Sequence, residues 1–188
     1  MYKIAILSAS IRTGRKSHRV AQYLAAFIRE QAMAEVDMLD LQDYDFPLFH
    51  ERLQYLQDPP QKVLEFADKI VKADGILVVT PEYNGGYPAA LKNAVDLLFP
   101  EWKRKPVAIA TVSAGAFGGS QVGPAIAFTF LKIRALVTPP GFRVPKVQDA
   151  YQEGGVPVDK ETTDKRAKTF LDEFFWCVEA ANHMQASQ

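Results

Sequence analysis

The sequence lacks features that mark several classes of protein. Its 188 residues include a single cysteine, Cys177, so no disulfide can form within the chain. This favours a reducing compartment, because disulfides are typical of secreted domains. The 22 Lys and Arg residues are balanced by 22 Asp and Glu residues, which gives a formal net charge of zero. We therefore expect no nucleic acid partner and no binding to an anionic membrane, since both need a clustered positive excess.

Long apolar runs and metal-ligand spacings are also missing. The N-terminal run Ile4-Ala5-Ile6-Leu7 is too short for the apolar region of a signal peptide. No stretch approaches the ~18 apolar residues that a membrane-spanning helix needs. These observations predict a cytoplasmic protein. No metal site is expected, because His18, His50 and His183 are isolated and neither H-x-x-x-H nor C-x-x-C spacing occurs.

The chain does contain an alternation of strand-like and helix-like patterns. Continuous β-branched runs at residues 3–7, 75–80 and 106–112 predict strands buried on both faces of a parallel sheet. Weaker strand signals lie at residues 36–39 and 136–138. Apolar residues at helical spacing predict helices between and after these strands. They form four groups: Val20, Leu24, Phe27 and Ile28; Val63, Phe66, Ala67 and Ile70; Leu91, Ala94, Val95 and Leu98; and Phe170, Leu171, Phe174, Phe175 and Val178.

This alternation predicts a single α/β domain over residues 1–188. Right-handed strand–helix–strand crossovers in five units form a three-layer α/β/α sandwich. We expect a flavodoxin-like, five-stranded parallel sheet with strand order 2-1-3-4-5. Residues 42–60 and 139–157 are rich in turn-forming residues and are predicted to be surface loops. Ligands of such sheets bind beyond the carboxyl ends of the strands, so the loops after strands one, three and four are the candidate site.

The loop after the first strand, residues 8–18, has the composition of an anion site. It carries four hydroxyl groups and the cations Arg12, Arg15 and Lys16, has no carboxylate, and leads into a helix N-terminus. We expect a carboxylate-free pocket there that holds a phosphate. The Walker and G-x-G-x-x-G motifs are absent, which favours a mononucleotide. The alternative is an ordinary helix start, capped by Ser17 and flanked by solvated cations.

The loops after strands three and four have different compositions. Residues 80–88 hold Tyr83, Asn84 and free backbone N–H groups between two rigid prolines, which suits a planar heterocycle; the alternative is an exposed surface turn. We assign Glu82 a structural role, because no second carboxylate or histidine lies nearby in sequence to tune it as an acid or base. Residues 113–120 contain three glycines, which allow close approach to a ligand or simply make a flexible loop.

Together these loops resemble the NADPH-dependent FMN reductase family, which has a flavodoxin-like fold and includes quinone, azo-dye and chromate reductases. The resemblance runs from Lys3 to about Val178 and is most specific at Pro81-Glu82-Tyr83-Asn84-Gly85, Pro88 and Leu91-Lys92-Asn93, with Lys105-Pro106 as a further feature. The first loop resembles the family's G-S-x-R-x-x-S pattern, with Ala9 replacing its glycine. The resemblance implies FMN contacts in three groups: Ser10, Arg12, Arg15, Lys16, Ser17 and His18 near the phosphate; Pro81, Glu82, Tyr83, Asn84 and Gly85 at the isoalloxazine; and Ser113 and Gly115 at its other edge.

The activity implied by this resemblance is NAD(P)H-dependent flavin oxidoreduction. NADPH or NADH would pass a hydride to bound FMN, and a small-molecule acceptor such as free FMN, a quinone, an azo dye or chromate would then be reduced. No catalytic side chain is expected, because the cofactor carries the chemistry. A homodimer or homotetramer is also implied. Core packing is the alternative for the aromatic residues that offer apolar area for such an interface, which are Phe99, Trp102, Phe117, Phe128 and Phe130.

Two other functions fit the same topology. A flavodoxin-type electron carrier would bind FMN without a substrate of its own, but such carriers usually dock through an acidic surface, which a net charge of zero does not favour. A receiver-like signalling domain would need an acidic cluster after strand one to hold Mg²⁺. Ser8, Ser10 and Arg12 occupy that place instead.

Overall fold

The computed structural model describes residues 1–187, in which a parallel sheet lies between two layers of helices. The strands are β1 (Tyr2–Ser8), β2 (Ala34–Asp40), β3 (Gly75–Pro81), β4 (Pro106–Val112), β5 (Leu136–Val137) and β6 (Phe142–Val144). The α-helices are α1 (Ser17–Glu30), α2 (Leu41–Tyr44), α3 (Gln61–Lys72), α4 (Ala89–Leu97), α5 (Val122–Lys132), α6 (Val147–Ala150) and α7 (Lys160–Ala186). Single 3₁₀ turns lie at Leu53–Tyr55, Pro100–Trp102 and Glu153–Gly155.

The sheet has the predicted order, β2-β1-β3-β4-β5, and every pairing is parallel. The fifth position differs in detail, because two short strands share it. β5 pairs with the start of β4, and β6 pairs with Ala110–Val112 near its end. Pro139 and Pro140 lie between β5 and β6 and have no N–H to donate to a ladder. The sheet therefore has six strands rather than five.

The two predicted loops also contain regular structure. β6 and α6 lie within residues 139–157, and α2, which begins at Leu41, extends into residues 42–60. These elements are only three or four residues long, which is too short to show a period in the sequence. The carboxylate of Asp40 caps α2 by accepting a hydrogen bond from the N–H of Gln42 at 3.1 Å.

Apolar residues of the strands point alternately into two cores. In β1, Ile4 and Ile6 pack with α1 and α7 on one face, whereas Ala5 and Leu7 pack with α3 and α4 on the other. All four side chains are buried. This explains the continuous apolar runs of the sequence, since a strand covered on both faces has no polar side.

The longest helix, α7, closes one face of the sheet. Its N-terminus is capped by Asp159, whose carboxylate accepts a hydrogen bond from the N–H of Thr162 at 3.0 Å. Phe174 and Val178 pack over Gly75 so closely that a Cβ there would lie 2.7 Å from each side chain. None of the helices within residues 1–187 is both long and apolar enough to cross a membrane.

The aromatic residues expected at an interface separate into buried and exposed sets. Trp102 and Phe130 are completely buried, with ring centroids 5.5 Å apart, and Trp102 Nε1 donates to the carbonyl of Val95 at 3.1 Å. For these two residues the alternative of core packing is confirmed, because they belong to the core beneath α3, α4 and α5. Phe117 and Phe128 are 80% and 64% exposed and remain available.

Candidate functional site

A cavity of about 320 Å³ opens at the carboxyl ends of β1, β3 and β4. Strand order reverses between β1 and β3, so the cavity lies where open α/β sheets bind ligands. The three loops predicted from the sequence form most of its wall, and α6 completes it. Its lining residues are Ser10, Arg12, Thr13, Gly14, Arg15, Lys16, Ser17, Pro81, Glu82, Tyr83, Val112, Ser113, Ala114, Val147 and Gln148.

The N-terminus of α1 forms the cationic end of this cavity. The N-cap position is taken by Lys16 rather than Ser17, the Lys16 side chain makes no capping hydrogen bond within residues 1–187, and the first turn of the helix has no acidic residue. The first backbone N–H groups are therefore available to an anion, and the helix dipole favours negative charge there. The side chains of Arg12 and Lys16 are exposed beside this terminus and form no salt bridge within residues 1–187.

The third cation of the loop is held by a carboxylate. Arg15 forms a two-pronged ion pair with Asp40, at the end of β2, and donates a further hydrogen bond to the carbonyl of Ser10. The Asp40 side chain is only 8% exposed. His18 Nδ1 lies 3.0 Å from Ser8 Oγ and 3.3 Å from Asp40 Oδ2. The expectation of a carboxylate-free pocket is therefore wrong. β2 brings the Asp40 carboxylate against Arg15 of the loop, and Glu82 lies in the cavity lining itself.

His18 carries less positive charge than a free histidine would at neutral pH. Burial lowers its pKa below the ordinary value of 6.5; the Asp40 and Asp43 carboxylates oppose this, and the Arg15 guanidinium adds to it. A neutral imidazole results at neutral pH, which hydrogen-bonds to its neighbours without adding a full charge to the anion site.

The loop after β3 is a tight turn joined to the first loop. The N–H of Tyr83 donates to the carbonyl of Gly86 at 2.8 Å, and the N–H of Gly86 donates back at 3.0 Å. Asn84 and Gly85, between them, have φ values of +52° and +79°, a left-handed pair that Asn-Gly adopts readily. The turn presents the Tyr83 ring to the cavity, where its hydroxyl lies 2.8 Å from Ser10 Oγ.

The carboxylate of Glu82 is occupied at the start of α5. Its Oε2 accepts hydrogen bonds from the N–H groups of Gln121 and Val122 at 2.9 and 3.0 Å. The backbone N–H of Glu82 donates to the carbonyl of Val112 at 3.0 Å, which fixes the loop beside β4. These contacts agree with the structural role that the sequence suggested for Glu82.

The loop after β4 contributes Ser113 but not Gly115 to the cavity lining. Ser113 Oγ donates to the carbonyl of Gly115 at 3.0 Å. Gly118 and Gly119 of this loop have positive φ values of +62° and +74°, whereas Gly115 does not. A Cβ at Gly119 would lie 2.9 Å from Cβ of Thr111, so the backbone approaches β4 closely at that point.

Most of the residues proposed from the sequence meet in this one cavity. The proposed residues outside its lining are His18, Asn84, Gly85 and Gly115. Val147 and Gln148 line it but were not anticipated, because their segment carries no recognisable motif. The Oε1 atom of Gln148 is buried and has no hydrogen-bond partner within residues 1–187.

These residues fit the FMN that the sequence resemblance implies. One end of the cavity has a helix terminus with two cations that form no salt bridge within residues 1–187, which suits a phosphate. The Tyr83 turn at the other end of the cavity suits a planar ring. The cavity volume lies near the lower end of the range for small-molecule sites, about 300 to 1,000 Å³. Gln148 Oε1 has no hydrogen-bond partner within residues 1–187, which suits a ligand that carries a hydrogen-bond donor.

Comparisons with known proteins agree with this description. The family model of NADPH-dependent FMN reductases matches residues 2–148. An NAD(P)H-dependent FMN reductase of Schizosaccharomyces pombe is 32% identical over 150 residues, which make up 77% of this chain and 74% of that protein. A quinone reductase of Pseudomonas putida is 29% identical over 181 residues, 93% of each chain.

A solved structure shares the fold over almost the whole chain. A flavoenzyme NAD(P)H:(acceptor) oxidoreductase from Paracoccus denitrificans has a TM-score of 0.76 at 24% sequence identity. The match covers 95% of this chain and 98% of that one. The flavodoxin-like fold predicted from the sequence is thereby confirmed.

Proposed function

The chain belongs to the NADPH-dependent FMN reductase family, and from this premise we propose that it is an NAD(P)H-dependent flavin oxidoreductase whose FMN lies in the cavity at the carboxyl edge of the sheet. We place FMN in this cavity because the uncapped N-terminus of α1 lies there between Arg12 and Lys16. Free N–H groups and cations without acidic partners form a site for a phosphate dianion.

The residues of the first loop fall into two groups, those that would contact the phosphate and those that would hold the loop in place. Ser10, Arg12, Lys16 and Ser17 would hold the phosphate, since they line the cavity around the α1 terminus. Arg15 and His18 would act indirectly, because Asp40 draws both side chains against β2. These two residues would keep the loop in place through Ser10 and Ser8.

The ring end of the cofactor would lie against the second and third loops. Pro81, Glu82, Tyr83 and Ser113 line that part of the cavity. Asn84, Gly85 and Gly115 lie outside the lining and would shape these loops rather than contact the ring directly.

The protein's contribution would be binding and orientation. Bound FMN supplies the chemistry, by accepting a hydride from NADPH or NADH and returning electrons to an acceptor. The α1 terminus would hold the phosphate and the Tyr83 turn would hold the ring, which together would orient the cofactor for its substrates. Glu82 would not move a proton, since its carboxylate is engaged with α5.

The acceptor that we propose is a small molecule such as free FMN, a quinone, an azo dye or chromate. The family name and the P. putida quinone reductase support the first two. We also propose that the whole chain is a single domain, supported by its continuous sheet, and that it forms a homodimer or homotetramer, supported by exposed Phe117 and Phe128. The single cysteine supports a cytoplasmic location.

Steady-state kinetics separate this function from a flavodoxin-type carrier. The purified protein, loaded with FMN, is mixed with NADPH or NADH and a benzoquinone, and oxidation of the nicotinamide is followed by absorbance. We expect catalytic oxidation that requires both the protein and the quinone. Bound FMN that neither nicotinamide reduces would favour the carrier instead.

A further inference from the structure

One acceptor at the cavity has no partner of its own. Gln148 lies in α6 and is one of the residues that line the cavity, beside Val147. Its amide oxygen, Oε1, is buried and accepts no hydrogen bond from residues 1–187. Buried polar atoms in folded proteins are nearly always paired, so an unpaired one at a cavity indicates a missing partner.

The orientation of this amide is fixed by its other end. Gln148 Nε2 donates to the carbonyl of Ala114 at 3.2 Å and to Asp149 Oδ2 at 3.3 Å. Exchanging the amide oxygen and nitrogen would set an acceptor against two other acceptors. Oε1 is therefore the atom left without a partner.

The polar groups of the Ser113 loop and of the start of α6 already bond to one another in the structure. The hydroxyl of Ser113 and the N–H of Lys146 both donate to the carbonyl of Gly115, each at 3.0 Å. The N–H of Val147 donates to the carbonyl of Ser113 at 3.1 Å. The donor for Oε1 must come from outside these loops.

We propose that Gln148 is a cofactor-recognition residue whose Oε1 accepts a hydrogen bond from a neutral donor of FMN. The proposal rests on the proposed function, because it takes FMN as the ligand of this cavity. FMN has two kinds of neutral donor, the ring N3–H and the ribityl hydroxyls, whereas its ionised phosphate has none. Gln148 thus recognises the flavin part of the molecule, while Arg12 and Lys16 recognise its phosphate.

The test compares two matched variants. Gln148→Met keeps the length of the side chain and removes both polar amide atoms. Gln152→Met makes the same change at an exposed position outside the cavity lining. FMN affinity is measured by quenching of flavin fluorescence. We expect Gln148→Met to raise the Kd about fivefold to tenfold, which corresponds to one neutral hydrogen bond, and Gln152→Met to leave it unchanged.

Two FMN analogues identify the donor, and their binding to wild type does not depend on how a variant folds. Wild type is titrated with 3-methyl-FMN, which lacks the ring N–H, and with FMN deoxygenated in the ribityl chain. We expect wild type to bind one of them about fivefold to tenfold more weakly than FMN, and Gln148→Met to lose that preference.

Three results would overturn the proposal: an unchanged Kd in Gln148→Met, wild type that binds both analogues as tightly as FMN, or analogue preferences that are identical in wild type and Gln148→Met. Failure of wild type to bind FMN in the first titration would instead contradict the proposed function.

Discussion

The hydroxyl oxygen of Tyr83 lies 2.8 Å from Oγ of Ser10 and shares a hydrogen bond with it. Ser10 is completely buried in the loop after β1, whereas Tyr83 stands on the turn after β3. The bond therefore joins the loop proposed to hold a phosphate to the loop proposed to hold a ring. The spacing between the two ends of the site depends in part on this contact.

Removing the Tyr83 hydroxyl should weaken FMN binding without abolishing it. Tyr83→Phe keeps the ring and loses the bond to Ser10, so we expect a cost of about 0.5–1.5 kcal/mol in binding free energy. Tyr83→Ala should cost more, because the ring is lost too. Tyr87→Phe is the control, since its hydroxyl pairs with Thr129 outside the cavity. Fluorescence titration that finds Tyr83→Phe equal to wild type would show that the bond is dispensable.

Arg12→Ala should weaken FMN binding by about 1.5–3 kcal/mol, the range for a charge-assisted hydrogen bond to phosphate. Riboflavin, which has no phosphate, should bind the variant as it binds wild type. Lys103→Ala removes an exposed cation before β4, at the opposite edge of the sheet, and should change neither affinity. If FMN and riboflavin titrations respond equally to Arg12→Ala, the phosphate does not lie beside Arg12.

Glu82→Gln should leave turnover within about twofold of wild type, because the amide oxygen can still accept bonds from Gln121 and Val122. Glu82→Ala removes that acceptor and should destabilise the fold by about 1–2 kcal/mol in urea denaturation, as loss of a helix cap does. A Glu82→Gln protein that keeps its FMN yet cannot oxidise NADPH would assign an acid–base role to this carboxylate.

His18 should make the fold less stable in mild acid. Its pKa is lowered in the folded state, chiefly by burial, so the unfolded chain binds the proton more readily. The contribution of neutral His18 to the free energy of unfolding is therefore fully present above pH 6.5, the pKa of histidine in the unfolded chain. It is lost as the pH falls below that value. Thermal midpoints from about pH 7.5 to 5.5 should fall more for wild type than for His18→Asn. Parallel curves for the two proteins would contradict this assignment.

The sheet was predictable because its central strands leave an unambiguous pattern. β3 and β4 are buried along their whole length, so both appear as continuous apolar runs. The fifth position was only partly visible, since β5 and β6 have two and three residues. Such short strands show no period, and their place depends on pairing with β4.

The place of the cavity was predictable because adjacent strands end together there, whereas contacts between distant parts of the chain were not. Composition after β1 and β3 identified the candidate anion loop and the Tyr83 turn, and both line the cavity. Asp40 was missed because it lies 25 residues from Arg15 in the chain. The register that sets Asp40 opposite Ser8 becomes visible only once β2 is paired with β1. Gln148 lies in a segment without a motif, so its place at the cavity emerges only from the fold.

The central claim is that the cavity at the end of β1 binds FMN and presents it to a nicotinamide. The most direct measurement is the visible absorption spectrum of the purified protein after incubation with FMN and gel filtration, followed by anaerobic addition of NADPH or NADH. We predict that the flavin band elutes with the protein and is bleached when the nicotinamide is added. Protein that elutes colourless after saturation with FMN would contradict the claim.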